Sequence, residues 1–80
     1  MNIKLLKKVS KNKNLTDNEK STVKSIIRNM KIAHVKEINE EDFKENIRAD
    51  IYHKYCGVDC DWNVYSRFIE NIMFAVGQEE

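Results

Sequence analysis

The feature of this sequence that most constrains its fold is the scarcity of chain-turning residues. The 80 residues include no proline and only two glycines, Gly57 and Gly77. A β-rich protein of this length needs several glycine- or proline-based turns, and the sequence does not provide them. Each glycine follows a segment with helical periodicity, and glycine is common at the position just after the end of a helix. We therefore predict an all-α fold, a small bundle of three to four helices in one domain over residues 1–80.

Apolar residues recur at helical spacing in four segments of the chain. The predicted stripes are Ile3, Leu6 and Val9; then Val23, Ile26, Ile27 and Met30; then Phe43, Ile47, Ile51 and Tyr55; and finally Trp62, Tyr65, Phe68, Ile69, Ile72, Met73 and Val76. Each stripe would face a common core, as an amphipathic helix requires. After the second stripe the period slips, so we predict a break in the chain before the third helix.

Three polar residues stand where helix caps are expected. Thr16 and Glu19 have the spacing of a capping box, in which each side chain accepts a hydrogen bond from a backbone N–H group of the other. Asn39 precedes three acidic residues and can cap the third helix. Asp61 can cap the fourth. These signals place the predicted helix starts near residues 17, 40 and 62.

Residues 59–70 have part of the spacing of a calcium loop. An EF-hand loop places oxygen ligands at positions 1, 3, 5 and 12 and a glycine at position 6. The oxygen residues are Asp59, Asp61, Asn63 and Glu70. Position 6 is Val64, whose β-branched side chain resists the required positive φ. Because the fourth apolar stripe requires residues 62–69 to be helical, we favour a helix start over a calcium loop.

A second metal pattern is formed by His53, Cys56 and Cys60, with His34 as a distant fourth candidate. Zinc takes four such ligands, and structural sites usually show two close pairs, which this chain lacks. His53 falls on the side of the third helix away from its stripe, so we expect it to be exposed. We expect His34 to be partly buried. The cysteines are interpreted as small hydrophobic residues, and we predict no metal and no cofactor.

The sequence also lacks the motifs that carry catalysis. It has no phosphate-binding glycine loop, no G-x-S-x-G motif and no paired histidines on one helix face, so we predict no enzymatic activity and no small-molecule substrate. No stretch approaches the ~20 apolar residues of a membrane span, and the start of the chain lacks the apolar core of a signal peptide. We expect a cytoplasmic protein with reduced cysteines and no membrane partner.

Charge is divided unevenly along the chain. Residues 1–36 hold ten basic and two acidic residues, whereas residues 37–80 hold four basic and eleven acidic residues. The second helix carries a row of basic residues beside its apolar stripe: Lys20, Lys24, Arg28 and Lys31. Such a row can neutralise phosphates, so a nucleic-acid-binding regulator is one hypothesis. The basic half has no aromatic residue on which bases could stack.

The other hypothesis is a protein-binding module, because the aromatic residues are concentrated in the acidic half, and aromatics are enriched in interface cores. On the fourth helix Phe74 lies outside the apolar stripe, in the sector of Arg67, with Val64 nearby. We predict that these three residues contact a protein partner or a second copy of the chain. In size, in its richness in lysine and asparagine and in its lack of a catalytic motif, the chain resembles the small inhibitory proteins of bacteriophages and other mobile elements, including anti-CRISPR proteins. This resemblance in composition implies a non-enzymatic regulator or inhibitor that acts by protein binding.

Overall fold

The computed structural model describes residues 1–56 and 62–80, and over these residues the chain is an all-α bundle. Its helices are α1 (Ile3–Val9), α2 (Asp17–Ile32), α3 (Glu40–Ile51) and α4 (Trp62–Glu79), with a π-helical turn, Tyr52–Cys56, directly after α3. The fold class predicted from the sequence is confirmed. The β pairing among the described residues is one isolated bridge, between Asn2 and Glu37.

Helices α2 and α4 each contact the other three helices, and α1 and α3 each pack against both of them. Except for Leu15 and Ala75, the buried apolar side chains come from the predicted stripes. The buried apolar residues are Leu6, Val9, Leu15, Val23, Ile26, Ile27, Met30, Phe43, Ile47, Ile51, Ile72, Ala75 and Val76. Because one cluster contains residues of all four helices, removing one large member would loosen several helix contacts at once.

The start of α2 is fixed by the predicted capping box, which the structure confirms. The Thr16 N–H donates to Glu19 Oε1 over 2.8 Å, and the Glu19 N–H donates to Thr16 Oγ1 over 3.2 Å. Glu19 is only 2% exposed. Its second carboxylate oxygen, Oε2, accepts a 2.7 Å hydrogen bond from Asn71 Nδ2 on α4. One side chain therefore both caps α2 and joins it to α4.

The end of α2 explains why the apolar period slips after Met30. His34 has a φ of 56°, in the left-handed region. The Val35 N–H donates to the Met30 carbonyl over 2.9 Å and the His34 N–H to the Lys31 carbonyl over 3.2 Å. This pair of bonds is a Schellman motif, with histidine at the position that glycine usually fills. The expectation that His34 is partly buried is wrong, because the left-handed residue lies past the helix end and is exposed.

Two of the predicted stripe residues lie outside the core. Tyr55 is 42% exposed, since the backbone widens into the π-helical turn after Ile51 and no longer keeps the α-helical period. Trp62 is 67% exposed. It is the first residue of α4, about 15 Å along the helix axis before Ile72, the first residue of that helix that is buried.

The α1–α2 connection is held against the end of α4 by two asparagine side chains. Asn12 is 8% exposed, and its Nδ2 group donates to Gln78 Oε1 over 3.1 Å and to Glu79 Oε1 over 3.3 Å. Asn14 Nδ2 donates to the same Gln78 oxygen over 3.2 Å. The residues before α2 are thus connected to the last turn of the fold.

Candidate functional site

One side of α4 is left uncovered by the bundle. Its opposite side supplies Ile72, Ala75 and Val76 to the core. We use the term α4 outer face for Val64, Arg67 and Phe74, the three residues that the sequence predicted as an interface. The structure leaves all three exposed: Phe74 is 67% exposed, Val64 is 36% exposed, and Arg67 is exposed.

The helix geometry brings these three side chains to neighbouring positions. At about 100° per residue, Arg67 and Phe74 are separated by about 20° around the helix axis, and Val64 is about 60° from Arg67. The rise of about 1.5 Å per residue places Phe74 about 10 Å along the axis from Arg67. A depression of about 350 Å³ lies beside the start of this face, lined by Asn63, Val64, Arg67 and Phe68. The α4 outer face therefore combines a projecting ring, a cation and an adjacent hollow.

A second exposed aromatic region lies where the π-helical turn approaches the start of α4. Tyr52 is 50% exposed, and the rings of Trp62 and Tyr65 are 6.4 Å apart. They line a groove of about 390 Å³ with Glu45, Arg48, Ala49 and His53. Trp62 was predicted to be core because it falls on the fourth apolar stripe. The helical period did not single it out, since Phe68 and Met73 lie farther from the middle of that stripe and are partly buried against the core.

The basic residues of α2 form a separate surface, which we call the α2 basic row: Lys20, Lys24, Arg28 and Lys31. Lys20 is half-buried and the other three side chains are exposed. None of the four forms an ion pair with another described residue, whereas Lys44, Arg48 and Lys54 of the acidic half each pair with a carboxylate within one helical turn. The predicted row is therefore present as an uncompensated positive surface.

A polar cluster joins the π-helical turn to α2. Lys54 Nζ lies 2.6 Å from Ser25 Oγ, 3.1 Å from Ser21 Oγ and 3.3 Å from Asp50 Oδ1. A serine beside a lysine can be a nucleophile with its base. Here Lys54 Nζ contacts three oxygens at once, two serine hydroxyls and the Asp50 carboxylate, and so joins the π-helical turn to α2. The cluster is therefore interpreted as a tether between helices.

The structure bears on both metal patterns. Residues 62–69 belong to α4, so the helical interpretation of this stretch is confirmed. Asp59, Asp61 and Cys60 lie outside the described residues. His53 is exposed, as expected from its side of the third helix. Within residues 1–56 and 62–80, no three His, Cys, Asp or Glu side chains are grouped to hold a metal ion.

Comparison of the chain with protein-family models, with curated proteins and with solved structures gives no significant match. None of the helices described in residues 1–56 and 62–80 combines the length and the apolar character needed to cross a bilayer.

Proposed function

We propose that this chain is a small, non-enzymatic protein-binding module, a regulator or inhibitor, which contacts its protein partner through the α4 outer face. The observation that carries the proposal is the position of Phe74. Its ring is 67% exposed on a helix whose opposite side supplies the core. A single exposed apolar residue is ordinary, but here the ring shares its side of the helix with Arg67, and aromatic and arginine side chains dominate the binding energy of interfaces.

The exposed apolar residues include two members of the α4 outer face. The large apolar side chains that remain exposed among the described residues are Ile32, Val35, Tyr52, Tyr55, Trp62, Val64 and Phe74. Five of these seven lie on the π-helical turn and α4. Of these five, Val64 and Phe74 belong to the α4 outer face, whereas Tyr52 and Trp62 line the separate groove beside the π-helical turn.

A non-enzymatic role is supported by the Lys54 cluster, in which the lysine is engaged as a donor and is not available as a base. The inhibitor role is supported by the resemblance in composition to small inhibitory proteins of mobile elements. Such proteins act by occupying a surface of a larger protein, which needs an exposed anchor and not a catalytic pocket.

Replacing Phe74 with alanine tests the proposal. Truncation of an interface anchor typically costs about 2 kcal/mol or more of binding free energy, so partner capture or self-association should weaken about 30-fold. The free energy of unfolding should change by no more than about 0.5 kcal/mol, because the ring is outside the core. Sedimentation velocity measures self-association, and quantitative affinity capture with the tagged protein measures partner binding.

Tyr52→Ala is the matched control, since it also removes an exposed aromatic ring, but one outside the α4 outer face. It should retain binding. Equal loss of binding by both variants would show that the α4 outer face is not the interface. A large fall in the melting temperature of Phe74→Ala would contradict the exposure of the ring, and with it the proposal.

A further inference from the structure

The α2 basic row has no role in the protein-binding function proposed above. Its residues succeed one another at intervals of four, four and three along α2, so at about 100° per residue they share an arc of about 80°. The row extends over about 16 Å at the helical rise of about 1.5 Å per residue. One acidic residue, Asp17, shares this arc, and it lies at the N-terminal end of α2, before Lys20.

The charges of this row are not needed to hold the bundle together. The other acidic residue of α2, Glu19, is buried and is bonded to Thr16 and Asn71, away from the row. The cations elsewhere in the helices that do form ion pairs, such as Lys44 with Glu40, show that the fold can neutralise its lysines. Exposed cations that lack a carboxylate partner leave a positive potential that attracts an external anion.

We propose that the α2 basic row binds the sugar–phosphate backbone of double-helical nucleic acid. Its length of about 16 Å exceeds the major-groove width of about 12 Å in a DNA duplex, so charges at the two ends of the row reach phosphates of both strands. Lysine carries its charge on a flexible stem, which lets each ammonium group adjust to a phosphate. No aromatic residue occurs in residues 1–36, which disfavours single strands that bind by stacking.

The composition of the row favours nucleic acid over an acidic protein. Lysine is depleted in protein–protein interfaces, where apolar side chains form the centre. Protein–nucleic acid interfaces are more polar and more positively charged. The large apolar side chain at the edge of the row is Ile32, which is 71% exposed and lies at the last residue of α2. Because three of the four cations are lysines, the row contacts phosphates and does not read base sequence.

The test measures the affinity of the full chain for a mixed-sequence DNA duplex, by fluorescence anisotropy, over a series of salt concentrations. With four phosphate contacts, log affinity should fall with log salt at a slope of about −3.6, which is about a 150-fold loss between 50 and 200 mM salt. The triple variant Lys20→Gln, Lys24→Gln and Lys31→Gln should reduce this slope to about −0.9. Glutamine is a good helix former, and circular dichroism verifies that the variant folds.

The matched control removes the same number of positive charges, three, from α1 instead: Lys4→Gln, Lys7→Gln and Lys8→Gln. This control variant should keep most of the slope of log affinity against log salt. Repeating the titration of the unmodified chain with an RNA duplex shows which double helix binds better. Equal losses in the two triple variants would show general electrostatic attraction and overturn the site. Tighter binding of poly-glutamate than of either duplex at equal salt, or no binding of either duplex at low salt, would also overturn it.

Discussion

Glu19 offers a sharp test of how the bundle is held together, because one buried carboxylate makes two kinds of contact. Its Oε1 atom accepts from the Thr16 N–H, and its Oε2 atom accepts from Asn71 Nδ2. Glu19→Ala removes both bonds. Glu19→Gln keeps an oxygen for Thr16, because glutamine also serves in a capping box, but it replaces the oxygen that accepts from Asn71 Nδ2 with an NH2 donor and so removes that bond.

The two contacts contribute unequal free energies. A helix cap is worth about 1 kcal/mol, and a hydrogen bond to a charged group about 1.5–3 kcal/mol. The lower end applies to the second bond, because Asn71 is exposed and its amide can turn to water. The higher helix propensity of alanine offsets this loss of stability by about 0.5 kcal/mol. We therefore expect Glu19→Ala to lower the free energy of unfolding by about 2 kcal/mol, which is a fall of about 8–16 °C in the melting temperature of a domain of this size.

Urea denaturation followed by circular dichroism measures this loss. Glu70→Ala is the control, since Glu70 is exposed, and it should change stability by less than about 0.5 kcal/mol. In a double-mutant cycle, the stability lost by the double variant Glu19→Ala, Asn71→Ala should be about 1 kcal/mol smaller than the sum of the two single losses. Strict additivity would refute the link between α2 and α4, and equal losses for Glu19→Ala and Glu70→Ala would refute the burial argument as a whole.

Two further substitutions test polar groups near α2. Lys54→Met should destabilise the fold by about 1–3 kcal/mol, because it leaves the Asp50 carboxylate, 14% exposed, without its cation. Lys44→Met is the control, since it breaks a more exposed ion pair, and it should destabilise the fold by less than about 1 kcal/mol. Thermal melts of the two variants measure both losses. Thr22→Val should raise the free energy of unfolding by about 1 kcal/mol, because the Thr22 hydroxyl is fully buried and has no hydrogen-bond partner among the described residues, and burying an unbonded hydroxyl is costly. A loss of stability in Thr22→Val would show that the hydroxyl is bonded in solution.

The parts of the fold that depend on neighbours in sequence were predictable. Thr16 and Glu19 are three residues apart, and the capping box needs no information beyond that spacing. The same is true of Asn39, whose side chain accepts from the Asp42 N–H over 2.8 Å. The core stripes of α1 and α2 followed from the helical period alone. Local chemistry was enough to set the helix starts and the fold class.

The parts that depend on distant residues were not predictable from one sequence. The bond between Glu19 and Asn71 joins positions 52 apart in the chain, and no local pattern pairs them. Tyr55 was wrongly assigned to the core, because the apolar period of the sequence carries no signal of a π-helical turn. On the α4 outer face, the exposure of Phe74 followed from helical phase, but the depression beside Val64 depends on how neighbouring side chains are arranged around it.

The bonds from Asn12 to Gln78 and Glu79 have a consequence for how the protein is made. They join residues 66 and 67 positions apart, so the segment after α1 meets its partner only after α2, α3 and α4 have been synthesised. Closing so long a loop carries a high entropic cost, and contacts between residues far apart in sequence slow folding. Because α4 contacts all three earlier helices, the nascent α1, α2 and α3 keep apolar surface uncovered until α4 is synthesised, and the bundle then closes as a unit.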